Sequence, residues 1–186
     1  MDCSAEDRQR LLRWARRAVE EAVRGERLTP VSDDELSPAT CNLCAAFVTL
    51  KKCGELRGCI GRMDFDRPLW RNVVDAAVAS ALEDPRFEAV RPEELTELHL
   101  EISVLEPPVE LKRIEDFDAQ RHGIIIEKGY RHALLLPKVA QEHGWDESKV
   151  LEILCWKAGL PADAWREPDA RLQVFTALDF AEQGKG

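Results

Sequence analysis

The chain has no apolar run near the length of about 20 residues that a membrane-spanning helix needs. It also lacks a basic excess. Lys and Arg number 26 against 35 Asp and Glu, a net charge of −9, so a nucleic-acid backbone or an anionic membrane is not the expected partner. There is no G-x-x-x-x-G-K-[ST] phosphate loop, no G-x-G-x-x-G turn after a strand and no H-E-x-x-H zinc helix. The G-x-S-x-G nucleophile elbow is missing too. No repeats and no low-complexity tracts occur. Met1 to Arg10 is polar and charged, without the apolar stretch of a secretory signal, so a cytoplasmic protein is expected.

What remains is 186 residues of ordinary globular composition, 45% hydrophobic and 33% charged. That length makes one domain, or two lobes sharing a core. Six cysteines are present: Cys3, Cys41, Cys44, Cys53, Cys59 and Cys155. A chain this long needs no disulfide staples, and reduced thiols are expected. The commonest role of any one of them is that of a small buried hydrophobe.

Periodicity divides the chain into helices and strands. Residues 5–24 place Leu11, Leu12, Ala15, Val19, Ala22 and Val23 at helical spacing, and Gly25 closes the run. Residues 29–40 form an irregular, acidic, proline-containing connector. Residues 44–51 and 55–61 form two strands around a turn at Cys53-Gly54. Pro68 opens a helix to about Leu82, and Asp84-Pro85-Arg86-Phe87 breaks it. Leu98 to Leu105 alternates, with His99, Glu101 and Ser103 on one face. Val109 to Arg113 adds a short strand. A hairpin around Gly129, a helical turn at 137–142, a helix from Asp146 to Ala158 and one last strand from Arg171 to Phe180 complete the order. The class is α+β with a mostly antiparallel sheet flanked by helices.

Leu56-Arg57-Gly58-Cys59-Ile60-Gly61 stands out, because two glycines weaken a strand. Strict alternation puts Arg57 and Cys59 on one face and Leu56, Gly58 and Ile60 on the other. A guanidinium near a thiol favours the thiolate, which makes an activated thiol or an anion site. The plainer reading is a structural cysteine with a solvated arginine neighbour. Cys41, Cys44, Cys53 and Cys59 have zinc-like spacing, but six extended residues put Cys53 and Cys59 about 20 Å apart, too far for one zinc. Cys41-x-x-Cys44 leads into a strand, whereas a thioredoxin-like pair opens a helix. His99 or Glu101 would supply a base near Cys59, or only the wet face of an antiparallel sheet. His132 is a similar choice. Arg86 would bring a second cation, or Phe87 would dock into the core.

The LRGCIG segment at 56–61, after AFVTLKK at 46–52, resembles the AMMECR domain family, protein A of the AmmeMemoRadiSam systems. DPRF at 84–87, EISVLEPP at 101–108, HGIIIEKG at 122–129, LLLPKVA at 134–140, GW at 144–145, KAGL at 157–160 and Trp165 continue the resemblance in order. It implies an α+β fold with a larger and a smaller lobe and a cleft near residues 56–61, in a single domain with a core of about 8–182. It implies a pathway shared with a Memo-type protein and a radical S-adenosylmethionine enzyme; no cofactor is expected. Carried over by position, the site would comprise Arg57, Gly58, Cys59, Gly61, Asp84, Arg86 and Glu101, with His132 added from the reading of the strands. Cys44 stands where the family often has glycine or a small residue. Three functions follow: an enzyme or enzyme component using Cys59 with Arg57 and Glu101, a non-catalytic adaptor or substrate-binding module for those partners, and a metal carrier through Cys41 and Cys44.

Overall fold

The computed structural model of the chain describes residues 3–183. The chain forms two compact units, one taking in residues to Leu105 and from Leu178 onward, the other Glu106–Ala177. Both are α+β.

The first unit opens with α1 (Ala5–Val23). Ser4 and Asp7 close a capping box: Ser4 Oγ accepts from Asp7 N at 3.1 Å, and Asp7 Oδ2 accepts from Ser4 N at 3.2 Å. A short helix, α2 (Pro38–Cys41), interrupts the connector. The hairpin strands β1 (Ala45–Lys52) and β2 (Glu55–Arg62) follow, then α3 (Leu69–Leu82) and β3 (Leu98–Leu105). Cys53 and Gly54 both take positive φ, 52° and 82°, which is the backbone of a type I′ hairpin turn. With β8 (Ala177–Ala181) these strands form a four-stranded sheet in the order β2–β1–β3–β8. Helices α1 and α3 pack on each other, and α3 packs on β1 and β2. Val48, Leu50, Leu100 and Ile102 project into that core and are fully buried. The opposite face of β1 and β3 carries Thr49, Lys51, His99, Glu101 and Ser103.

The second unit holds β4 (Val109–Glu110), the hairpin of β5 (Gly123–Lys128) and β6 (Arg131–Leu135), α4 (Pro137–His143), α5 (Glu147–Lys157) and β7 (Arg171–Phe175). Its antiparallel sheet runs β4–β7–β5–β6. Asp146 Oδ1 caps α5 by accepting from Lys149 N at 2.8 Å. Leu151, Leu154 and Cys155 of α5 pack with Ile124 and Ile126 of β5 in this unit's core.

The single last strand expected over Arg171–Phe180 is two strands in two sheets. β7 pairs with β5 through Phe175, and β8 joins β3 in the other sheet. Thr176 separates them, and its carbonyl accepts from Glu106 N at 3.1 Å. The sequence here has neither glycine nor proline to mark the break.

Candidate functional site

The β1–β2 ladder carries a bulge. From the turn, Lys52 pairs with Glu55 and Lys51 with Leu56. The register then shifts, so that Leu50 pairs with Gly58 and Thr49 with Cys59. Arg57 is the extra residue. Simple alternation through a two-residue turn would have set Cys59 against Val48, on the core face. One inserted residue reverses that assignment. The bulge thus brings Gly58 and Ile60 to the core side, opposite Leu50 and Val48, whereas Leu56, grouped with them by strict alternation, pairs with Lys51 and is exposed.

The expectation that Arg57 sits with Cys59 is therefore not met. The Arg57 guanidinium grips Glu94 as a fork, Nε to Oε1 and Nη2 to Oε2, both at 3.0 Å. Its Nη1 donates to Glu88 O at 2.9 Å. Glu94 is buried, and the Arg57 guanidinium holds its carboxyl down at about 2, helped by Arg91 N. Arg57 ties β2 to the segment that follows α3.

A second carboxylate holds the next residue. Asp84 Oδ2 accepts from Cys59 N at 2.8 Å, and Asp84 Oδ1 accepts from Arg86 N at 3.1 Å and Arg86 Nε at 2.9 Å. Arg86 Nη2 donates to Asp84 Oδ2 at 2.6 Å and to Cys59 O at 3.1 Å. The Asp84 side chain is 3% exposed; the Arg86 guanidinium brings its carboxyl down to about 2 against the opposing effect of burial. Both backbone groups of Cys59 are thus satisfied from beyond the sheet. β2 is an edge strand, and such an edge otherwise offers open groups to any passing strand. Phe87 lies half-buried between the two guanidinia, 6.0 Å from Arg57 and 5.5 Å from Arg86, and not in the core.

Both glycines have packing roles. A Cβ on Gly58 would come within 2.1 Å of the Ser80 carbonyl oxygen in α3. A Cβ on Gly61 would meet the Phe47 ring at 2.3 Å. In the second unit the Phe175 ring covers Gly123 in the same way. Ser80 itself enters the β1–β2 ladder: its Oγ accepts from Ile60 N and donates to Val48 O, both at 2.8 Å. Ser80→Ala strips a partner from both strand groups in a buried place, so a loss of about 2 kcal/mol is expected. Chemical denaturation checks it, and wild-type stability in that variant would show the hydroxyl to be dispensable.

The Cys59 sulfur is what the fold leaves over. It is partly exposed and accepts from Thr49 Oγ1 at 3.3 Å. Arg86 reaches the same residue through its backbone, Nη2 donating to Cys59 O at 3.1 Å, and Asp84 first and then Cys59 raise Arg86 above its ordinary value. Glu101 lies opposite Thr49 on β3, so two strand spacings, about 9.6 Å, separate its backbone from that of Cys59. Its carboxylate meets Lys51 Nζ at 2.6 Å. Farther along the face Ser103 Oγ donates to Asp179 of β8 at 2.5 Å. Cys59, Thr49 and Glu101 form one row across three strands, with Thr49 in the middle.

The remaining sequence candidates lie apart from this row. His132 belongs to the second unit, exposed on β6 opposite Glu127. His99 faces the same way as Glu101, opposite Lys51. Cys41 and Cys53 are exposed, whereas Cys3, Cys44 and Cys155 are buried. Burial pushes the Cys3 and Cys155 thiols up. Among the described residues no three His, Cys, Asp or Glu side chains converge as metal ligands would. Thr49, Ser80 and Glu94 escaped the sequence reading. Thr49 was within reach of a register count once the bulge was known. Ser80 and Glu94 left no local signal, since each acts at long range.

A four-stranded sheet with two helices on one face and a thiol on the other defines an α+β protein with one partly exposed edge-strand cysteine. The chain belongs to the AMMECR1 family, whose pattern matches residues 12–180. A protein of Thermococcus gammatolerans is 44% identical over 183 residues, covering 93% of this chain and 89% of that one. A protein of Methanothermobacter thermautotrophicus is 40% identical over 187 residues, covering 97% of each. The crystal structure of protein PH0010 from Pyrococcus horikoshii matches with a TM-score of 0.87 at 41% identity, over 93% of this chain and 90% of that one. No helix among the described residues is long and apolar enough to cross a membrane.

Proposed function

We propose that the protein is an enzyme or enzyme component that works through the Cys59 thiol, as nucleophile or thiol carrier, with Arg86 as its cation. The observation that carries this is the sulfur's setting: partly exposed, with a hydroxyl donating to it and the Arg86 guanidinium held at the same residue by its carbonyl. Such donors stabilise negative charge on sulfur. Arg57 takes a structural role here, because its guanidinium is spent on Glu94. Glu101 reaches the thiol only through Thr49 or a bound substrate. The partners are a Memo-type protein and a radical S-adenosylmethionine enzyme, as the family resemblance implies.

Alkylation of the Arg86→Gln variant tests the role given to Arg86. With the fold intact, Cys59 should react with iodoacetamide about tenfold more slowly than in the wild type, while exposed Cys41 and Cys53 keep their rates. An unchanged Cys59 rate would remove Arg86 from the site. The adaptor reading has one observation in its favour: Arg57, Gly58, Gly61 and Asp84 all serve to hold β2 in place. Cys59→Ser separates the two, since an adaptor would keep its function and a thiol enzyme would lose it.

A further inference from the structure

Thr49 stands between Cys59 and Glu101 in the row that crosses β2, β1 and β3. We infer that Thr49 is the positioning residue of the site: its hydroxyl, set opposite Cys59 by the bulge, favours the thiolate. The inference rests on the reading of Cys59 as the working group and names the neighbour that keeps it ready.

The ladder supplies the first argument. Cys59 N and O are bonded to Asp84 and Arg86 beyond the edge of the sheet. Both point away from β1, so Cys59 and Thr49 face each other as a non-hydrogen-bonded pair. Such pairs bring their side chains closest, with Cα atoms about 4.5 Å apart. Asp84 thus fixes the kind of pair, and the bulge at Arg57 fixes which residue completes it. In an unbulged ladder the partner would be Val48, which has no hydrogen to donate.

Burial is the second. The sulfur is partly exposed, whereas Thr49 is only 4% exposed. The Phe47 ring covers Gly61, the next residue after Cys59 on the same face. Solvent therefore competes little for the Thr49 hydroxyl, and a hydrogen bond so shielded is the stronger for it. A β-branched side chain also has few χ1 rotamers to lose.

Charge is the third. The charged and titratable groups on this face are Asp84 and Arg86 from the segment after α3, Lys51 from β1, and His99 and Glu101 from β3. Arg57 is turned to Glu94. The four ions come as opposed pairs, Arg86 Nη2 to Asp84 Oδ2 and Lys51 Nζ to Glu101 Oε1, each at 2.6 Å. Within a pair the two fields oppose each other at the sulfur. The Thr49 donor has no such opponent. A neutral thiol is a weak acceptor, and a bond donated to the charged form favours that form.

The rate at which iodoacetamide alkylates Cys59, followed from about pH 6 to about pH 10, tests the inference in the wild type, Thr49→Val and Thr49→Ser. Circular dichroism checks that each is folded. Valine keeps the shape and removes the donor. In Thr49→Val the rate–pH curve should move up by about one pH unit, so that the rate on its lower limb falls about three- to tenfold. At high pH the variant should equal or pass the wild type, because the more basic thiolate is the better nucleophile. Thr49→Ser should keep the wild-type curve. An unmoved curve in Thr49→Val overturns the inference, since the hydroxyl would then give its hydrogen elsewhere. Equal slowing at every pH overturns it too, leaving Thr49 a packing role, as does a Thr49→Ser curve that follows Thr49→Val. Each of these leaves the reading of Cys59 standing. A wild-type Cys59 that does not react anywhere in the range overturns that reading, and the inference with it.

Discussion

Gly58→Ala should destabilise the protein by about 3 kcal/mol or more, at the upper end of what overpacking costs. The added carbon would stand 2.1 Å from the Ser80 carbonyl oxygen and 3.1 Å from its carbon. Both are backbone atoms of α3, so no rotamer change relieves the clash. Moving Ser80 away would also pull its hydroxyl from Ile60 N and Val48 O. Gly61→Ala is the matched control. There the neighbour is the Phe47 ring, which is half-buried and can turn aside, so a cost of about 1–2 kcal/mol is expected. Denaturant midpoints of the two variants check the order. Equal, small losses would mean that α3 does not need to lie this close to β2.

Asp84→Asn should cost about 2–3 kcal/mol near neutral pH and flatten the acid limb of stability. Removing one partner of a buried ion pair costs about 3–5 kcal/mol, and the Arg86 side chain, 53% exposed, recovers part of that by hydration. The sign of the pH effect follows from the carboxyl's folded value of about 2, below the unfolded value of about 3.9. A group depressed on folding stabilises above its unfolded pKa, and that contribution is lost as pH falls from about 4 towards 2. It amounts to about 2–3 kcal/mol. Glu94, also near 2 under the Arg57 fork, loses its contribution in the same direction. The wild type should therefore weaken steeply below pH 4, and Asp84→Asn should lose the Asp84 part of that slope while keeping the part owed to Glu94 and to the other carboxyls held down, buried Asp7 among them. Denaturation at pH 7 and at pH 3 measures it. An unaltered slope in the variant would mean that Asp84 is not ionised by its pairing with Arg86.

Much of this was legible in the chain. Helical spacing in residues 5–24 and the alternation of Leu98–Leu105 gave α1 and β3 almost to the residue. Cys53-Gly54 marked the hairpin turn, since a type I′ turn wants positive φ at both central positions. The Leu56–Gly61 and Asp84–Phe87 segments each stood out, and the fold brings them together through Asp84 and Cys59 N. What alternation could not supply was the extra residue at Arg57. A bulge has no signature here, and it decides which partner Cys59 meets across the ladder. The same blindness joined β7 and β8 into one strand. Arg57 and Glu94, 37 positions apart, meet only because the chain after α3 folds back along β2, which no short window of sequence contains. Two glycines weaken a strand, and here α3 and the Phe47 ring fill the places their side chains would take.

Within the Leu56–Gly61 segment, then, packing and hydrogen bonding account for the arginine, the glycines and the backbone of Cys59, and only the sulfur is left for chemistry. Competitive alkylation of the native wild type at neutral pH tests this most directly, with iodoacetamide limiting and each cysteine followed by peptide mass spectrometry. Cys59 should be modified first, ahead of Cys41 and Cys53 although both are more exposed, and far ahead of buried Cys3, Cys44 and Cys155. Modification of Cys59 no faster than that of Cys155 would contradict the account and leave the thiol as one more packed side chain.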